Sequence, residues 1–526
     1  MATGLARLGD TIFYYGEVGM QEFRTSELLT DTLGSGGFEN KQLAKHHTDL
    51  FIDRNAAAMA KLGDMIFYYA ELGMQEFRTS ELLTDTLASG GFEVERNLSG
   101  FPTGFMVRYG NGDPVIALHC EFDANPGNSQ VPGRAERAEI VAGAPGHCEG
   151  HNVNAAVTVT AALAIRLAMM KFGISGTLKV FGAPAEEQLI SRPYFVRDGH
   201  FDHVDIAFHA HIMDTFRTEY GLVQLGMMSV QITFLGMAAH AAMSPWEGRD
   251  ALDAAVLMDV GMAQFREHMR PGMSAHRVFT EGGTQPNVIP ARATCWWFFR
   301  DRSPEGVRRL FEQGERIARG AAMMANCELE TNIMSGVWPV RCNETIAKAI
   351  QRNIEAIGMP AWTAEEQDFA RAVQTNAGQK AIGLRDAPAP LTGPSEPIAA
   401  SNDCGDVSWV VPMGRIWFPS NIPNAAFHHW SAGAALTTSI AHKGGVAGAK
   451  ALAASALDFL TSTDAVEEAW RTFRIEIDGT EFRSLLPATQ KPPVELNRAL
   501  MERYRPLMEP HYLQGRPEFV APERLP

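Results

Sequence analysis

The 526 residues, 45% hydrophobic and 20% charged, suffice for two or three domains with a substantial core and argue against wholesale disorder. A formal net charge of −15 argues against a nucleic-acid surface, which needs clustered Lys and Arg, and favours solubility. Six cysteines dispersed at 120, 148, 295, 327, 342 and 404 form neither a disulfide framework nor a zinc-finger spacing, which fits a reducing, cytoplasmic setting.

The chain starts Met-Ala-Thr-Gly-Leu-Ala-Arg, without the apolar stretch of a secretory signal. Residues 8–39 and 62–93 then repeat one sequence 54 positions apart, with 28 of 32 positions identical. They differ only at Thr11/Met65, Gly16/Ala70, Val18/Leu72 and Gly34/Ala88. Two copies do not make a solenoid, which takes about three stacked units. Each copy reads as a helix, a break at Gly-Met-Gln-Glu-Phe, and a second helix ending at Gly-Gly-Phe. Only the second copy runs on into strands, so it is the integral one and the first is a partial duplicate.

From Phe92 to Ala210 apolar strand-like runs alternate with helical ones: strands at 105–109 and 115–120, a helix at 153–171, then strands at 177–181 and 204–209. This alternation predicts an α/β layer with a largely parallel sheet. The run Val153–Ile165 stops at Arg166, too short for a bilayer, and predicts a buried helix. Residues 222–336 change character, giving strand 227–236, helix 250–265, strands 276–280 and 293–300, helix 304–324 and strand 328–333. That β-α-β-β-α-β order predicts a separate ferredoxin-like α+β domain hinged near Gly221 and Gly336. Helices follow at 344–357 and 446–460, with a Pro/Ala/Gly-rich loop at 386–400 and a Pro-rich, charged peripheral tail.

The chemically richest feature is the pair Glu186-Glu187, flanked upstream by Gly146-His-Cys-Glu-Gly-His-Asn152 and downstream by His209-Ala-His211. A metal-dependent hydrolase needs imidazoles and carboxylates to hold an ion, plus one free carboxylate to move protons. Taken singly, His151 is equally a helix-start residue, and His211 or His428 an ordinary buried or surface histidine. Glu121, Asp123, Glu186-Glu187 and His211 all follow predicted strands, where ligands of parallel sheets gather.

Gly146–Asn152, Gly182–Glu187, Ala238–Ala242, Gly283–Pro290, Gly405–Trp409 and Thr438–Gly444 together resemble the M20 metallopeptidase family over residues 47–465, most closely its aminobenzoyl-glutamate-cleaving members. The resemblance implies a metal-binding α/β catalytic domain, residues 47–221 and 337–465, interrupted by a lid that also dimerises, residues 222–336. Residues 1–46 are then an extra N-terminal segment partly duplicating 62–93, and 466–526 a C-terminal tail. The implied metal ligands are His151, Glu187, His211 and His428, with Glu149 fifth, where relatives carry Cys. Exchanging thiolate for carboxylate tilts the one or two divalent ions towards Mn²⁺, with Zn²⁺ the alternative. His147, His209 and His429 are near neighbours that leave the ligand assignment open, and His119 and Glu121 stand outside the set.

Glu186 is expected to act as general base and Asp123 to orient a ligand histidine. In the lid, His240 is expected to polarise the scissile carbonyl, and Asn287 and Arg300 to hold substrate, though Arg300-Asp-Arg equally suits a surface salt bridge. The expected activity is hydrolysis of the amide in an N-aroyl or N-acyl amino acid such as p-aminobenzoyl-glutamate. Aromatic deamination and a non-catalytic partner chain are the alternatives. Where relatives keep glycines, Gln188-Leu189-Ile190 adds bulk expected to reshape the pocket. A homodimer through the lid, or a heteromer with a paralogue, is expected, with neither nucleic acid nor membrane as partner.

Overall fold

A computed structural model describes residues 37–520. The first copy of the duplicated unit, up to residue 36, lies outside the described residues. Helix α1 (Gly37–Arg54) runs unbroken through residue 46; a turn at Asn55 leads to α2 (Ala56–Tyr69) and, after a longer break, α3 (Phe77–Ser89) follows. The second copy thus has the helix–break–helix form expected of it. Its break is buried from Ala70 to Glu76, unusual for a connection, and turns through left-handed backbone at Ala70 and Met74.

Strands β1 (Glu93–Arg96), β2 (Phe105–Asn111) and β3 (Val115–Glu121) precede α4 (His151–Phe172). Then come β4 (Gly176–Ala183), α5 (Ser191–Arg197) and β5 (Ile206–Met213). With β12 (Met413–Pro419) they form a six-stranded sheet in the order β1-β2-β4-β3-β5-β12. The strands from β4 to β12 are parallel neighbours, and β1 and β2 close one edge antiparallel. Strands β3 and β12 are buried at every position, as expected where helices cover both faces. Helix α4 is apolar and long enough to cross a membrane, yet 89% of its most apolar window is buried in the fold. It packs on the sheet beside α1 and α2 and against the closing helix (Ser439–Leu460).

After β6 (Gly221–Gln224), the inserted unit follows the expected order: β7 (Gly226–Leu235), α6 (Ala251–Phe265), β8 (Ser274–Glu281), β9 (Arg292–Asp301), α7 (Pro304–Met324) and β10 (Glu328–Val337). Its antiparallel sheet runs β10-β7-β9-β8, the ferredoxin-like arrangement. Period-two alternation sorts β9: Ala293, Cys295, Trp297 and Phe299 are buried in the lid core, and Trp296, Phe298 and Arg300 take the other face. At the lid's root β6 pairs with β11 (Val340–Cys342) as a two-stranded ribbon that starts at Gly221, while Gly336 lies within β10.

Beyond the ribbon come α8 (Glu344–Ile357), α9 (Ala364–Asn376), α10 (Ser439–Leu460), α11 (Thr463–Ile477) and α12 (Arg498–Met508). Helix α9, with a Thr363/Glu366 capping box, and strand β12 were not expected. Helix α10 begins seven residues before the expected 446, and Gly444 and Gly445 in its first turns let it lie close to the end of β12 and to α4. A Cβ on Gly444 would fall 2.5 Å from the Pro419 carbonyl carbon, and one on Gly445 would meet Val153 and Val157.

Helix α4 supplies a direct stability test. Ile165 is fully buried and Met170 is 50% exposed on the same helix. Ile165→Ala is expected to cost about 2–5 kcal/mol and Met170→Ala no more than about 0.5 kcal/mol, measured by denaturant unfolding.

Candidate metal centre

Strands, helix starts and the loops flanking β12 carry the polar side chains of the centre. Strand β3 delivers Glu121 and then Asp123; β4 ends in the turn carrying Glu186-Glu187; β5 carries His209 and His211. Glu149 precedes α4, and Gly150, at φ +80°, turns the chain so that His151 opens the helix. His428, itself left-handed at φ +58°, arrives on the loop after β12. The loop before β12 adds Asn402 and Asp403, both buried.

These side chains form two adjoining groups. In the first, Nε2 of His151 and Nε2 of His211 each lie 3.7 Å from Glu121 Oε2. In the second, His428 Nε2 lies 2.7 Å from Glu149 Oε1 and 3.6 Å from Glu187 Oε2. The groups meet at His151, whose Nδ1 is 3.9 Å from Glu187 Oε1 and whose Nε2 is 3.5 Å from Glu186 Oε2. Asp123 spans the junction: Oδ1 accepts from His151 Nδ1 at 3.0 Å and Oδ2 from the Glu187 amide at 3.0 Å. His211 Nδ1 donates to the Ile212 carbonyl at 2.9 Å. With both Nδ1 atoms so engaged, the two Nε2 atoms are presented to a common point.

Glu121, Glu186 and Asp403 also converge, but Arg192 fills that space. Its guanidinium touches Glu121, and its Nε donates to Asp403 Oδ1 at 2.6 Å. Asn402 donates to Glu186 Oε1 at 2.6 Å and Glu121 Oε1 at 3.1 Å, and its own Oδ1 takes the Cys404 amide at 2.9 Å. That last bond fixes which end of the amide faces the acids.

Carboxylates outnumber cations here, and the ionisations record it. Burial, then the charge of Glu121, pushes Glu186 well above the usual carboxylate range. Burial and Glu149 push Glu187 up to about 8. Burial alone would discharge His151, but the hydrogen bond and charge of Asp123 hold it well above its usual value. His211 instead falls to about 3, chiefly through burial. Such a set attracts either protons or a cation. His151 Nε2 and Glu187 Oε1 are buried with no hydrogen-bond partner. Divalent ions, one in each group, would engage these residues, and three donors in each group leave coordination positions for water or substrate, so the residues fit a metal.

The chain is 30% identical over 467 residues to one of the named subunits of p-aminobenzoyl-glutamate hydrolase from Escherichia coli strain K12, covering 84% of this chain and 97% of that protein. The chain belongs to the M20 peptidase family. The M20 peptidase dimerisation domain matches residues 223–322, the lid. Xaa-Arg dipeptidase of Mus musculus is 28% identical over 461 residues, 84% of this chain and 95% of that one. A Bacillus subtilis structure described as a dinuclear metal binding peptidase of the M20 family shares the fold, with TM-score 0.50 and 19% identity over 78% of this chain and 98% of that one. This M20 protein is accordingly a hydrolase of amide bonds that works with a divalent metal, its catalytic domain carrying an inserted lid.

The expected residues divide within this M20 framework. Glu149, His151, Glu187, His211 and His428 come together, with Asp123 and Glu186 in contact. His147 turns instead to the Ile66 carbonyl, and His429 to Ser431. Arg300 reaches the edge of the centre, donating to Ser401 Oγ at 2.8 Å beside Asn402. It joins no ion pair among the described residues, so the surface salt bridge is not realised. His240 and Asn287 share an exposed lid corner, where the Ala241 amide donates to the Asn287 carbonyl at 3.0 Å. Among the described residues neither touches the metal centre.

Leu189 gives a different outcome from the one expected. At φ +57° it turns out of the centre into the lid's root, against Met227, Val337 and Phe298, and Ser335 Oγ donates to its carbonyl. Sequence reasoning left Glu121 out of the ligand set and did not single out Arg192, Asn402 or Asp403. Glu121 carried a signal, its place at a strand end; the others are buried partners without periodicity.

Metal loading is expected to stabilise this protein. Mn²⁺ or Zn²⁺ at a hundred times its dissociation constant should add about 2.7 kcal/mol, read as a thermal shift reversed by EDTA. Glu187→Gln and His428→Ala are each expected to shrink that shift, because each removes a donor from the second group.

Proposed function

We propose that this enzyme hydrolyses the amide of an N-aroyl or N-acyl amino acid resembling p-aminobenzoyl-glutamate, releasing the aromatic or acyl acid and the amino acid. The observation that carries the reading is the junction at His151, where a buried proton acceptor, Glu186, stands 3.5 Å from a histidine Nε2 that lacks a hydrogen-bond partner. The E. coli relative, named for p-aminobenzoyl-glutamate, supports the substrate class.

Glu121, His151 and His211 would hold one divalent ion and Glu149, Glu187 and His428 a second, Mn²⁺ in preference to Zn²⁺ because oxygen donors are as numerous as imidazoles and no thiolate takes part. When bound, the metal polarises the scissile carbonyl and lowers the pKa of water from ~15.7 to about 7. Asp123 fixes the His151 ring through Nδ1, leaving Nε2 for the ion. Asn402 occupies Glu186 Oε1, which leaves Oε2 to take a proton from the attacking water and pass it to the leaving amine nitrogen. Arg300, half-buried at the lid face with its Nε free of partners, would fork onto the substrate carboxylate. His240 and Asn287, exposed on the lid corner, suit a dimer in which they complete the partner's site, His240 donating to the carbonyl oxygen. The match to a dimerisation domain supports that assembly. Because the E. coli relative is named as one of two different subunits of its hydrolase, a paralogous second chain is the alternative partner. Six cysteines, none in a disulfide among the described residues, favour a reducing, cytoplasmic location.

The test is a panel of N-aroyl and N-acyl amino acids incubated with the Mn²⁺-, Zn²⁺- or Co²⁺-loaded protein, scored for free amino acid. Glu186→Gln is expected to lower kcat by about 10²–10⁴ while metal content stays at the wild-type level. Loss of the ion in that variant would exchange the roles of the two glutamates. Ammonia without amino acid would mean ring deamination, and no turnover, alone or with a paralogue, a non-catalytic role.

A further inference from the structure

The break of the duplicated unit, Ala70–Glu76, has no part in the chemistry above, yet it is fully buried under two strand ends that carry the site. At one, the Ala124 amide, directly after Asp123, donates to the Glu71 carbonyl at 2.8 Å. At the other lies the turn holding Glu186 and Glu187. That turn is bracketed by two left-handed residues that are not glycine, Ala185 at φ +55° and Leu189 at φ +57°. Such backbone persists only where its surroundings hold it.

Glu76 supplies the hold on the near side. It is fully buried; Oε1 accepts the Ala185 amide at 2.8 Å and Oε2 the Thr103 hydroxyl at 2.8 Å. No cation pairs with it among the described residues. A carboxylate in that position commits its two oxygens to neutral donors, and one donor is the residue immediately before the proposed base. Gly73 adds a steric requirement, because a Cβ there would lie 2.8 Å from both Cα and Cβ of Ala185. Asp123 holds the same turn two residues on, through the Glu187 amide. The turn is thus suspended between two buried carboxylates, one of which also orients His151.

We infer that Glu76 and Gly73 are positioning residues for the Glu186-Glu187 turn, so that the break of the second repeat is the bearing on which the metal ligand and the proton carrier are held. The inference rests on the metal-hydrolase reading of that turn. It also lets the duplication be tested directly, since the first copy carries the same residues as Gly19 and Glu22. Among the described residues, it is Gly73 and Glu76 of the second copy that meet Ala185.

The experiment uses the full-length chain, stripped with EDTA and titrated with Mn²⁺ alone, with Zn²⁺ in parallel, and then assayed on p-aminobenzoyl-glutamate and related N-aroyl amino acids. Disturbing a group that orients a ligand costs roughly 10–100-fold in metal affinity or activity. Glu76→Ala and Gly73→Ala are each expected to weaken Mn²⁺ binding by that factor and to lower kcat similarly, with KM within about threefold of wild type. Glu76→Gln keeps an oxygen for the Ala185 amide and is expected to restore both to within about threefold. Glu22→Ala is expected to change neither. A Glu76→Ala protein that binds Mn²⁺ and turns over like wild type overturns the inference, as does a Glu76→Gln loss equal to that of Glu76→Ala. So does a deficit that appears in Glu22→Ala and not in Glu76→Ala, which would hand the bearing to the first copy. Circular dichroism and the melting temperature, taken on each variant, separate lost positioning from lost fold. A wild type that binds metal but cleaves nothing would sink the proposed substrate class alone, while the affinity series would still decide the role of Glu76.

Discussion

One carboxylate holds the centre together. Asp123 takes the Nδ1 proton of His151 on one oxygen and the Glu187 amide on the other, joining the start of α4 to the turn after β4. Both bonds are buried, so each is stronger than it would be in water, and losing either would strand a polar group. Asp123 thereby sets the spacing of His151 from the backbone of Glu187, while Glu76 and Asn402 hold the Glu186 end of the turn. Its own placement follows from the all-buried strand β3 that ends two residues earlier.

Around that tie, the charge distribution is asymmetric in a useful way. Arg192 and Arg415 stand behind the acids, Arg192 on Glu121 and Asp403, and Arg415 donating to His209 Nδ1 at 3.1 Å. His209 in turn faces Glu121 Oε1 from 2.8 Å, and burial drives its pKa down to about 4. Glu121 is thereby kept ionised from behind: burial would protonate it, but His209 and Arg192 hold it well below the usual carboxylate range. On the other side, burial and then the surrounding acids raise Glu186 and Glu187 instead. Neighbouring carboxylates with opposite shifts are how one pocket supplies both a permanent anion and a group able to carry a proton.

The large features of this fold were legible because they repeat. Alternating strand and helix periods announced the parallel sheet, and the β-α-β-β-α-β order announced the lid, with helix α7 running from Pro304 to Met324 as expected. Strand β12 escaped because Gly414, Arg415 and Pro419 interrupt its apolar run, and Arg415 looks like a surface residue until its partners are seen. Helix α9 lay in a polar stretch whose signal is a cap rather than an apolar stripe. In the site, the residues singled out from the sequence are brought together in two groups: His151 and His211 beside Glu121, and Glu187 and His428 beside Glu149. Residues whose value lies in a distant partner were not. Asn402 acquires meaning only when Glu186, 216 positions away, closes on it. Leu189 is similar: the bulk was visible, but its direction was set by left-handed backbone that the sequence does not announce.

The ribbon of β6 and β11 at the root of the lid has a mechanical consequence. Two strands held by cross-links of backbone amide and carbonyl resist sliding and stretching, yet a ribbon only two strands wide bends easily across its thin direction. The ribbon does not act alone, because the Tyr194 hydroxyl donates to the Met334 carbonyl of β10 at 2.8 Å and Arg300 to Ser401 Oγ. Leu189 packs between the lid's first and last long strands, at Met227 and Val337, and belongs to the turn that bears the two glutamates. The root of the outer domain and the floor of the pocket therefore share one packed contact.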